Sequence, residues 1–98
     1  MPAYVIYQGT VTDPEQYEKY KPLSGKSIHD SGGRLIVRGG EFEVLEGDAP
    51  PNRTVVIEFP TRQAAVDWYN SEAYVAAREV RDGAAIANMY VIDGYDDV

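Results

Sequence analysis

The sequence predicts an α+β protein of the ferredoxin-like class, in which an antiparallel sheet carries helices on one face. Two observations predict this fold. The elements follow the order β-α-β-(β)-β-α-β, and polar capping residues stand where helices would begin. The 98 residues show no internal repeat or linker, so we expect one domain over residues 1–98.

The first strand and the first helix are predicted from local sequence signals. Residues 3–10 are rich in β-branched and aromatic side chains and predict a strand. Asp13 can cap the helix that follows, and Gln16 would complete a capping box. Pro22 should kink this helix or divide it, because proline removes a hydrogen-bond donor from the helix interior. The Gly-Gly pair at Gly32 is a signal for a helix C-terminus.

The middle of the chain predicts further strands. Arg34–Arg38 predicts the second strand, and residues 41–46 predict another short strand or its continuation past a bulge. Residues 47–52 have the composition of an exposed turn. The segment Arg53–Phe59 (RTVVIEF) gives the strongest strand pattern of the chain.

The last third predicts two helical pieces and a strand. Thr61 can cap the first piece, and Ser71 begins a second piece that runs to Arg81. Gly83 ends that helix. Residues 89–95 then predict the final strand.

The predicted strands carry more apolar surface than one copy of the domain can cover. Side chains alternate between the two faces of a strand, and residues 4–7 (YVIY), 54–57 (TVVI) and 89–92 (MYVI) put apolar side chains on both. The helices of one ferredoxin-like unit cover only one face. We therefore expect a homodimer that forms through the other sheet face.

The net charge and the absence of cysteine limit which binding partners and which cellular compartment we expect. The 16 acidic and 9 basic residues give a formal net charge of −7, which disfavours nucleic acid and membrane surfaces as partners. No cysteine is present, which excludes disulfides, thiolate chemistry and sulfur-bound zinc. These features predict a cytoplasmic protein.

Three segments of the chain closely resemble one bacterial family. They are DPEQYEKY (residues 13–20), GGRLIVRGGEFEVLEG (residues 32–47) and VVIEFPTRQAAVDWYNSEAY (residues 55–74), followed by Arg78. Together they resemble the family catalogued as domain of unknown function 1330. The resemblance implies the dimeric α/β-barrel superfamily, in which two ferredoxin-like sheets close into a barrel. That superfamily includes monooxygenases, isomerases, haem-handling proteins and ligand sensors, so the resemblance implies no particular reaction.

Arg38 and Glu58 are candidate site residues because each ends an otherwise apolar strand. If these strands face the helices, both charges point toward Trp68 and Tyr69, and a buried charge must be paired or bound to a ligand. One interpretation is a salt bridge between Arg38 and Glu58, or with Arg78. The other is a pocket in which Arg38 holds an anion or a carbonyl oxygen and Glu58 accepts a proton.

The aromatic side chains of the two helical regions form a second candidate group. Core packing accounts for their helical spacing, but phenol and indole groups could also line a pocket for a flat apolar molecule. The predicted ligand-binding residues are Arg38, Tyr17, Trp68, Tyr69 and Arg78.

His29 is the only histidine of the chain and is the second candidate proton acceptor after Glu58. Near the end of the first helix, it can equally serve as a surface or capping residue. A single histidine without a carboxylate cluster makes a metal or haem centre unfavourable, so we expect neither a metal nor a cofactor.

Two functions stay open, and the sequence does not decide whether the protein is an enzyme. The first is a cofactor-independent enzyme that transfers a proton, isomerises or oxygenates a small organic substrate, with Arg38 polarising an oxygen atom and Glu58 or His29 accepting a proton. The second is a non-catalytic ligand-binding or interaction module with structural charge pairs. A sheet–helix cavity that contains Arg38 and Glu58 would favour the first function, and a solid core would favour the second.

Overall fold

The computed structural model describes residues 1–95. Four strands and three helices follow one another as β1 (Ala3–Val11), α1 (Pro14–Asp30), β2 (Arg34–Arg38), β3 (Arg53–Phe59), α2 (Arg62–Tyr69), α3 (Glu72–Arg81) and β4 (Ala85–Asp93). None of the helices in this part of the chain has the length and apolar character that crossing a membrane requires.

The four strands form one antiparallel sheet in the order β2-β3-β1-β4. In its centre Val5 lies opposite Ile57 on one side and Val91 on the other. The helices cover one side of the sheet, which we call the inner face. They leave the other side, the outer face, uncovered. α2 packs against β1 and β4, while α1 packs along α3. The ferredoxin-like α+β fold is therefore confirmed.

α1 is one continuous helix, although Pro22 lies inside it. The carboxylate of Asp13 accepts a hydrogen bond from the backbone N–H of Gln16 at 3.2 Å, as expected of a capping residue. The prediction that Pro22 could divide the helix is wrong. Tyr20 before the proline and Ile28 after it are both buried in the same core, so tertiary packing supports the helix on both sides of the proline.

Gln16 has a different role from the one predicted. Its side-chain amide donates to the carbonyl oxygens of Val80 at 2.7 Å and Asp82 at 2.8 Å. These carbonyls lie at the C-terminal end of α3, where backbone acceptors have no partner within the helix. Gln16 therefore closes the end of α3 and links it to the start of α1, instead of completing a capping box.

The two later helices begin where the sequence predicts. The hydroxyl of Thr61 accepts from the N–H of Ala64 at 3.0 Å, and the hydroxyl of Ser71 accepts from the N–H of Tyr74 at 3.3 Å. Between them the chain turns at Asn70, the C-cap of α2. Both predicted capping residues are confirmed.

Two predicted strand boundaries are wrong. Residues 41–46 form no strand and are exposed, because the chain turns at Gly39, whose φ of +64° favours glycine. β4 covers Ala85–Asp93 and not residues 89–95. It pairs with β1 along its whole length, so pairing with β1 draws the small residues at its start into the strand.

The core lies between the inner face and the helices and is largely aromatic. The indole of Trp68 lies 4.0 Å from the ring of Tyr74 and 5.4 Å from the ring of Phe59, measured between centroids. All three side chains are buried. The core thus joins β3, α2 and α3 through direct ring contacts.

We predict that Gln16→Leu lowers the free energy of unfolding by about 1–2 kcal/mol, because two carbonyls at the end of α3 lose their donor. Urea unfolding followed by circular dichroism measures the change. Gln63→Leu is the matched control, since Gln63 bonds only to Asp67 of the same helix surface and such pairs contribute less than about 0.5 kcal/mol. Equal effects of the two substitutions would contradict the bridging role.

Candidate functional site

Two cavities lie between the inner face of the sheet and the helices. The first, of about 40 Å³, lies under α1, and we call it the α1 cavity. The second, of about 200 Å³, lies under α2, and we call it the α2 cavity. Trp68 and Met89 line both, so these two side chains form the wall between them.

The α2 cavity is apolar. Val5 and Val91 line it from the sheet, and Ala65 lines it from α2. Tyr69 stands at its rim and is partly exposed, at 37%. A lining of this kind suits a flat apolar molecule with a polar group near the rim.

Tyrosine side chains dominate the α1 cavity. The hydroxyl of Tyr17 donates to the hydroxyl of Tyr7 at 3.3 Å, and the hydroxyls of Tyr20 and Tyr74 are 2.7 Å apart. The rings of Tyr17 and Tyr20 stack with centroids 5.2 Å apart. α1, α3 and β1 each supply part of this network, so it fixes the two helices over the sheet.

Two phenols of this network, Tyr7 and Tyr74, are neutral near physiological pH because the pKa of each is raised. Burial raises the pKa of Tyr7, and its hydrogen bond with Tyr17 raises it further. Burial likewise raises the pKa of Tyr74, with a smaller contribution from Tyr20. The positive charge of Arg81 acts in the opposite direction but does not reverse either shift. These groups are hydrogen-bond donors and not proton acceptors.

Arginine side chains stack on the tyrosine rings. The guanidinium of Arg81 lies 5.7 Å from the ring centroid of Tyr7 and 5.3 Å from that of Tyr20. The guanidinium of Arg53 lies 5.4 Å from the ring centroid of Tyr17. Within residues 1–95, the buried Nε of Arg53 and the buried Nη1 of Arg81 have no hydrogen-bond partner.

Arg78 fixes the rim of the α2 cavity. Its guanidinium lies 4.0 Å from the ring centroid of Tyr69 and donates to the hydroxyl and the carbonyl oxygen of that residue, each at 3.2 Å. The predicted salt bridge to Arg78 is absent from the described part of the chain, and its partner is an aromatic ring.

The predicted ion pair between Arg38 and Glu58 is wrong. A register shift in β2 between Leu35 and Val37 adds one residue to that strand, which reverses the alternation and puts Arg38 at the α1 cavity. Glu58 follows the regular alternation of β3 onto the outer face, opposite Arg34, whose guanidinium is 3.3 Å away. The sheet itself separates the two predicted partners.

The other candidate proton acceptor also lies outside both cavities. The side chain of His29 is 91% exposed, and its Nδ1 is 3.7 Å from the carboxylate of Asp30. It lies in the last turn of α1, which fits the surface interpretation. Residues 1–95 contain no group of three or more His, Cys, Asp or Glu side chains that could hold a metal ion.

Of the predicted ligand-binding residues, Tyr17 and Arg38 line the α1 cavity, Tyr69 lines the α2 cavity, and Trp68 lines both. The indole N–H of Trp68 donates to the hydroxyl of Ser27 at 3.0 Å, which fixes the ring in this shared wall.

Sequence reasoning missed three residues that shape the α1 cavity region: Tyr7, Arg53 and Arg81. The signals were present. Arg53 alternates in phase with the core residues of β3, as Tyr7 does in β1. Arg81 follows Tyr74 by seven residues, two helical turns on the same face.

Comparison with known protein families identifies the family of this chain. Residues 2–95 match the family described as "Domain of unknown function (DUF1330)". The chain belongs to this family. The resemblance drawn from its three motif segments is confirmed. No curated protein matches the chain.

Solved structures share the fold. A protein of unknown function from Rhodopseudomonas palustris, RPA0582, is 17% identical with a TM-score of 0.78, over 98% of this chain and 84% of that one. SnoaB, a cofactor-independent oxygenase from Streptomyces nogalater, is 10% identical with a TM-score of 0.68, over 99% and 96%. A dimeric protein of unknown function with a ferredoxin-like fold from Bacteroides fragilis is 12% identical with a TM-score of 0.57, over 95% and 96%. At these identities the similarity establishes the fold alone.

We predict that the stability of the protein falls as the pH rises above about 10, and that Tyr74 contributes to the loss. The pKa of Tyr74 is raised on folding, so its stabilising contribution is complete below the pKa of an unfolded tyrosine, about 10, and declines above it by at most about 1.4 kcal/mol per pH unit. In urea titrations at several alkaline pH values, Tyr74→Phe should show a shallower decline than the wild type.

The exposed Tyr95 supplies the control for this experiment, because it is 87% exposed. Tyr95→Phe should retain the wild-type pH dependence. If Tyr74→Phe also retains the wild-type pH dependence, the prediction is contradicted, because burial then does not keep the phenol of Tyr74 protonated.

Proposed function

We propose that this protein binds a small, flat, mostly apolar organic molecule in the α2 cavity, without chemically changing it. The observation that carries the proposal is the cavity itself. It is a partly open groove of about 200 Å³ with an apolar lining, and a protein cavity of about 150 Å³ is large enough to bind benzene. A single ring with one or two substituents therefore fits.

The side chains around the cavity suit such a molecule. Trp68 offers an indole face, and the Tyr69 hydroxyl at the rim can exchange hydrogen bonds with a polar substituent. Arg78 holds the Tyr69 ring in place from the side of α3. A rigid aromatic wall reduces the entropy lost on binding.

The lining of the two cavities supports binding over catalysis. Neither cavity is lined by a carboxylate or an imidazole from residues 1–95. Glu58 lies on the outer face with Arg34, and His29 is exposed. Proton transfer and isomerisation need a group that takes the proton within hydrogen-bond reach of the substrate, so the geometry favours the non-catalytic alternative.

Cofactor-independent oxygenation is a second candidate, and the shared fold with SnoaB supports it. It would require a bound molecule that reacts with O₂ once the cavity has oriented it. An oxygen electrode separates the two candidates, because only oxygenation consumes O₂ in proportion to the molecule supplied.

We also propose that the protein is a homodimer formed through the outer face. The side chains of Ile86, Tyr90 and Ile92 on this face are 75%, 56% and 53% exposed. They lie along β4, the strand next to β1 at one edge of the sheet, and a row of exposed apolar side chains on a sheet face marks a surface that another chain can cover. The outer face of a second copy would cover these side chains without requiring any other partner. The dimeric B. fragilis protein shares the fold.

The predictions about the cellular compartment and about nucleic-acid and membrane partners rest on the composition of the chain. The net charge of −7 supports the prediction that the protein binds neither nucleic acid nor anionic membranes. The absence of cysteine fits a cytoplasmic location. Both stay predictions.

We predict that p-cresol, a neutral single-ring probe, binds in the α2 cavity and that Ala65→Leu weakens its binding at least about tenfold. Ala65 is buried and lines the cavity, so a larger side chain takes up space that the ring needs, which costs about 1.4 kcal/mol or more. Isothermal titration calorimetry measures the affinity. Ala76→Leu on the exposed surface of α3 should leave it unchanged, and equal affinities for all three proteins would refute the site.

We predict that light scattering gives twice the 10.9 kDa chain mass and that Ile92→Lys shifts the protein toward monomer, because a charge placed in an apolar interface must be desolvated. Val75→Lys is the control, since Val75 is exposed on α3, away from the sheet. A monomeric wild type at micromolar concentration, or an unchanged Ile92→Lys dimer, would show that the outer face is not the interface.

A further inference from the structure

The α1 cavity carries positive charge that no acidic side chain of its lining offsets. From this we propose that it is a binding site for a small oxyanion of the carboxylate class, with Arg53 as the principal ligand-binding residue. The proposal goes beyond the α2 cavity, whose lining is apolar.

The distribution of charge gives the first argument. Acidic residues outnumber basic ones by 16 to 9, yet the lining of this cavity includes Lys21, Arg38 and Arg53 and no Asp or Glu from the described residues. The nearby carboxylate of Glu18 bonds to Lys21 at 2.8 Å and is 66% exposed. Arg53 and Arg38 act on this carboxylate only from a greater distance, where they add to the lowering of the pKa of Glu18 by Lys21. Within residues 1–95 neither arginine forms a salt bridge, and Arg38 is exposed to solvent, so Arg53 is the cavity cation with the least compensation.

The position of Arg53 gives the second argument. The Tyr17 ring lies on one side of its guanidinium, with 5.4 Å between the guanidinium carbon and the ring centroid. The backbone of Gly39 also lies beside the guanidinium, so close that a Cβ at that position would be 2.6 Å from Arg53 Nη1. The guanidinium thus packs against both an aromatic ring and a side-chain-free stretch of backbone, and its planar fork of donors suits a planar oxyanion.

Stacking on the Tyr17 ring provides no hydrogen-bond acceptor for the N–H groups of Arg53. A cation–π contact contributes about 0.5–2 kcal/mol through the face of the guanidinium, but its N–H groups point outward in the guanidinium plane. The buried Nε of Arg53 has no acceptor within residues 1–95. A buried charged donor without an acceptor is unfavourable, and an oxyanion in the cavity would balance the charge.

Tyr7 supplies a neutral donor in the same cavity. Its hydroxyl accepts from Tyr17 and donates to no group in the described part of the chain, so its own proton is free for an oxyanion. Burial keeps the phenol protonated by raising the pKa of Tyr7. Arg81 stacks on the ring at 5.7 Å and adds positive potential behind it.

The size of the cavity selects the class of ligand. A volume of about 40 Å³ holds roughly three water molecules, enough for a carboxylate group but not for an aromatic ring. The site therefore takes a free small acid, since Trp68 and Met89 stand between this cavity and the α2 cavity.

The experiment compares acetate with acetamide, its neutral analogue, at constant ionic strength. Trp68 is the only tryptophan and lines the cavity, so its fluorescence reports binding, and thermal melts give an independent measure. We expect acetate to change the fluorescence and raise Tm, and acetamide to do neither. Arg53→Met should weaken acetate binding at least about tenfold.

Three further variants support the measurement. Arg62→Met is the control, because Arg62 is 64% exposed and lies 3.6 Å from Asp93, and it should bind acetate like the wild type. If Arg53→Met does not fold, Tyr7→Phe and Arg53→Lys replace it, and both should weaken acetate binding. Equal responses to acetate and acetamide, or full acetate affinity in the Arg53 or Tyr7 variants, would overturn the proposal.

A last titration tests whether the two cavities bind their ligands separately. We expect acetate to bind equally tightly in the presence and in the absence of p-cresol, because Trp68 and Met89 separate the two cavities. Competition between them would place acetate in the α2 cavity and overturn the proposal. A protein that binds acetate but not p-cresol would refute the α2 proposal alone, so the two proposals fail separately.

Discussion

The structure depends on the burial of one large side chain, the indole of Trp68. Its ring contacts Phe59 of β3 and Tyr74 of α3, and its N–H donates to Ser27 of α1. One residue of α2 thereby joins both other helices and the sheet. Because the N–H has a buried acceptor, the ring is held in one orientation as well as one place.

That orientation explains why space remains on both sides of the ring. α1 and α2 lie over different parts of the sheet, and the indole stands between them with Met89. On the side of α1 the neighbours include phenols and guanidinium groups, and on the side of α2 they are aliphatic apart from Tyr69 and Tyr90. The same wall therefore separates two environments of different polarity, and a ligand on either side must contact Trp68.

The fold was predictable from the sequence because its signals are local. Asp13, Thr61 and Ser71 each cap the helix that the sequence assigns to them, and strand alternation identifies the core positions of β1 and β3. These signals involve neighbouring residues only, so no tertiary information is needed to interpret them.

The candidate site was less predictable because it depends on long-range geometry. One extra residue in β2 moved Arg38 to the face opposite Glu58, and sequence alternation gives no warning of a bulge. Gln16 found its acceptors at the end of α3, more than sixty residues away. Arg81 matters because α3 packs along α1, a pairing that the sequence of neither helix specifies alone.

Pro22 gives α1 a built-in weak point. Proline has no N–H, so the carbonyl of Glu18 lacks its usual partner one turn later, and Gly25 further lowers the helical propensity of the same stretch. Lys21 and Gly25, on either side of the proline, line the α1 cavity. Local opening of the backbone is therefore expected to cost least in the stretch of α1 around Pro22, and we expect amide hydrogens there to exchange with solvent sooner than those near the buried residues Tyr17 and Ile28. Pro22 and Gly25 thus place the least stable part of α1 directly beside the α1 cavity.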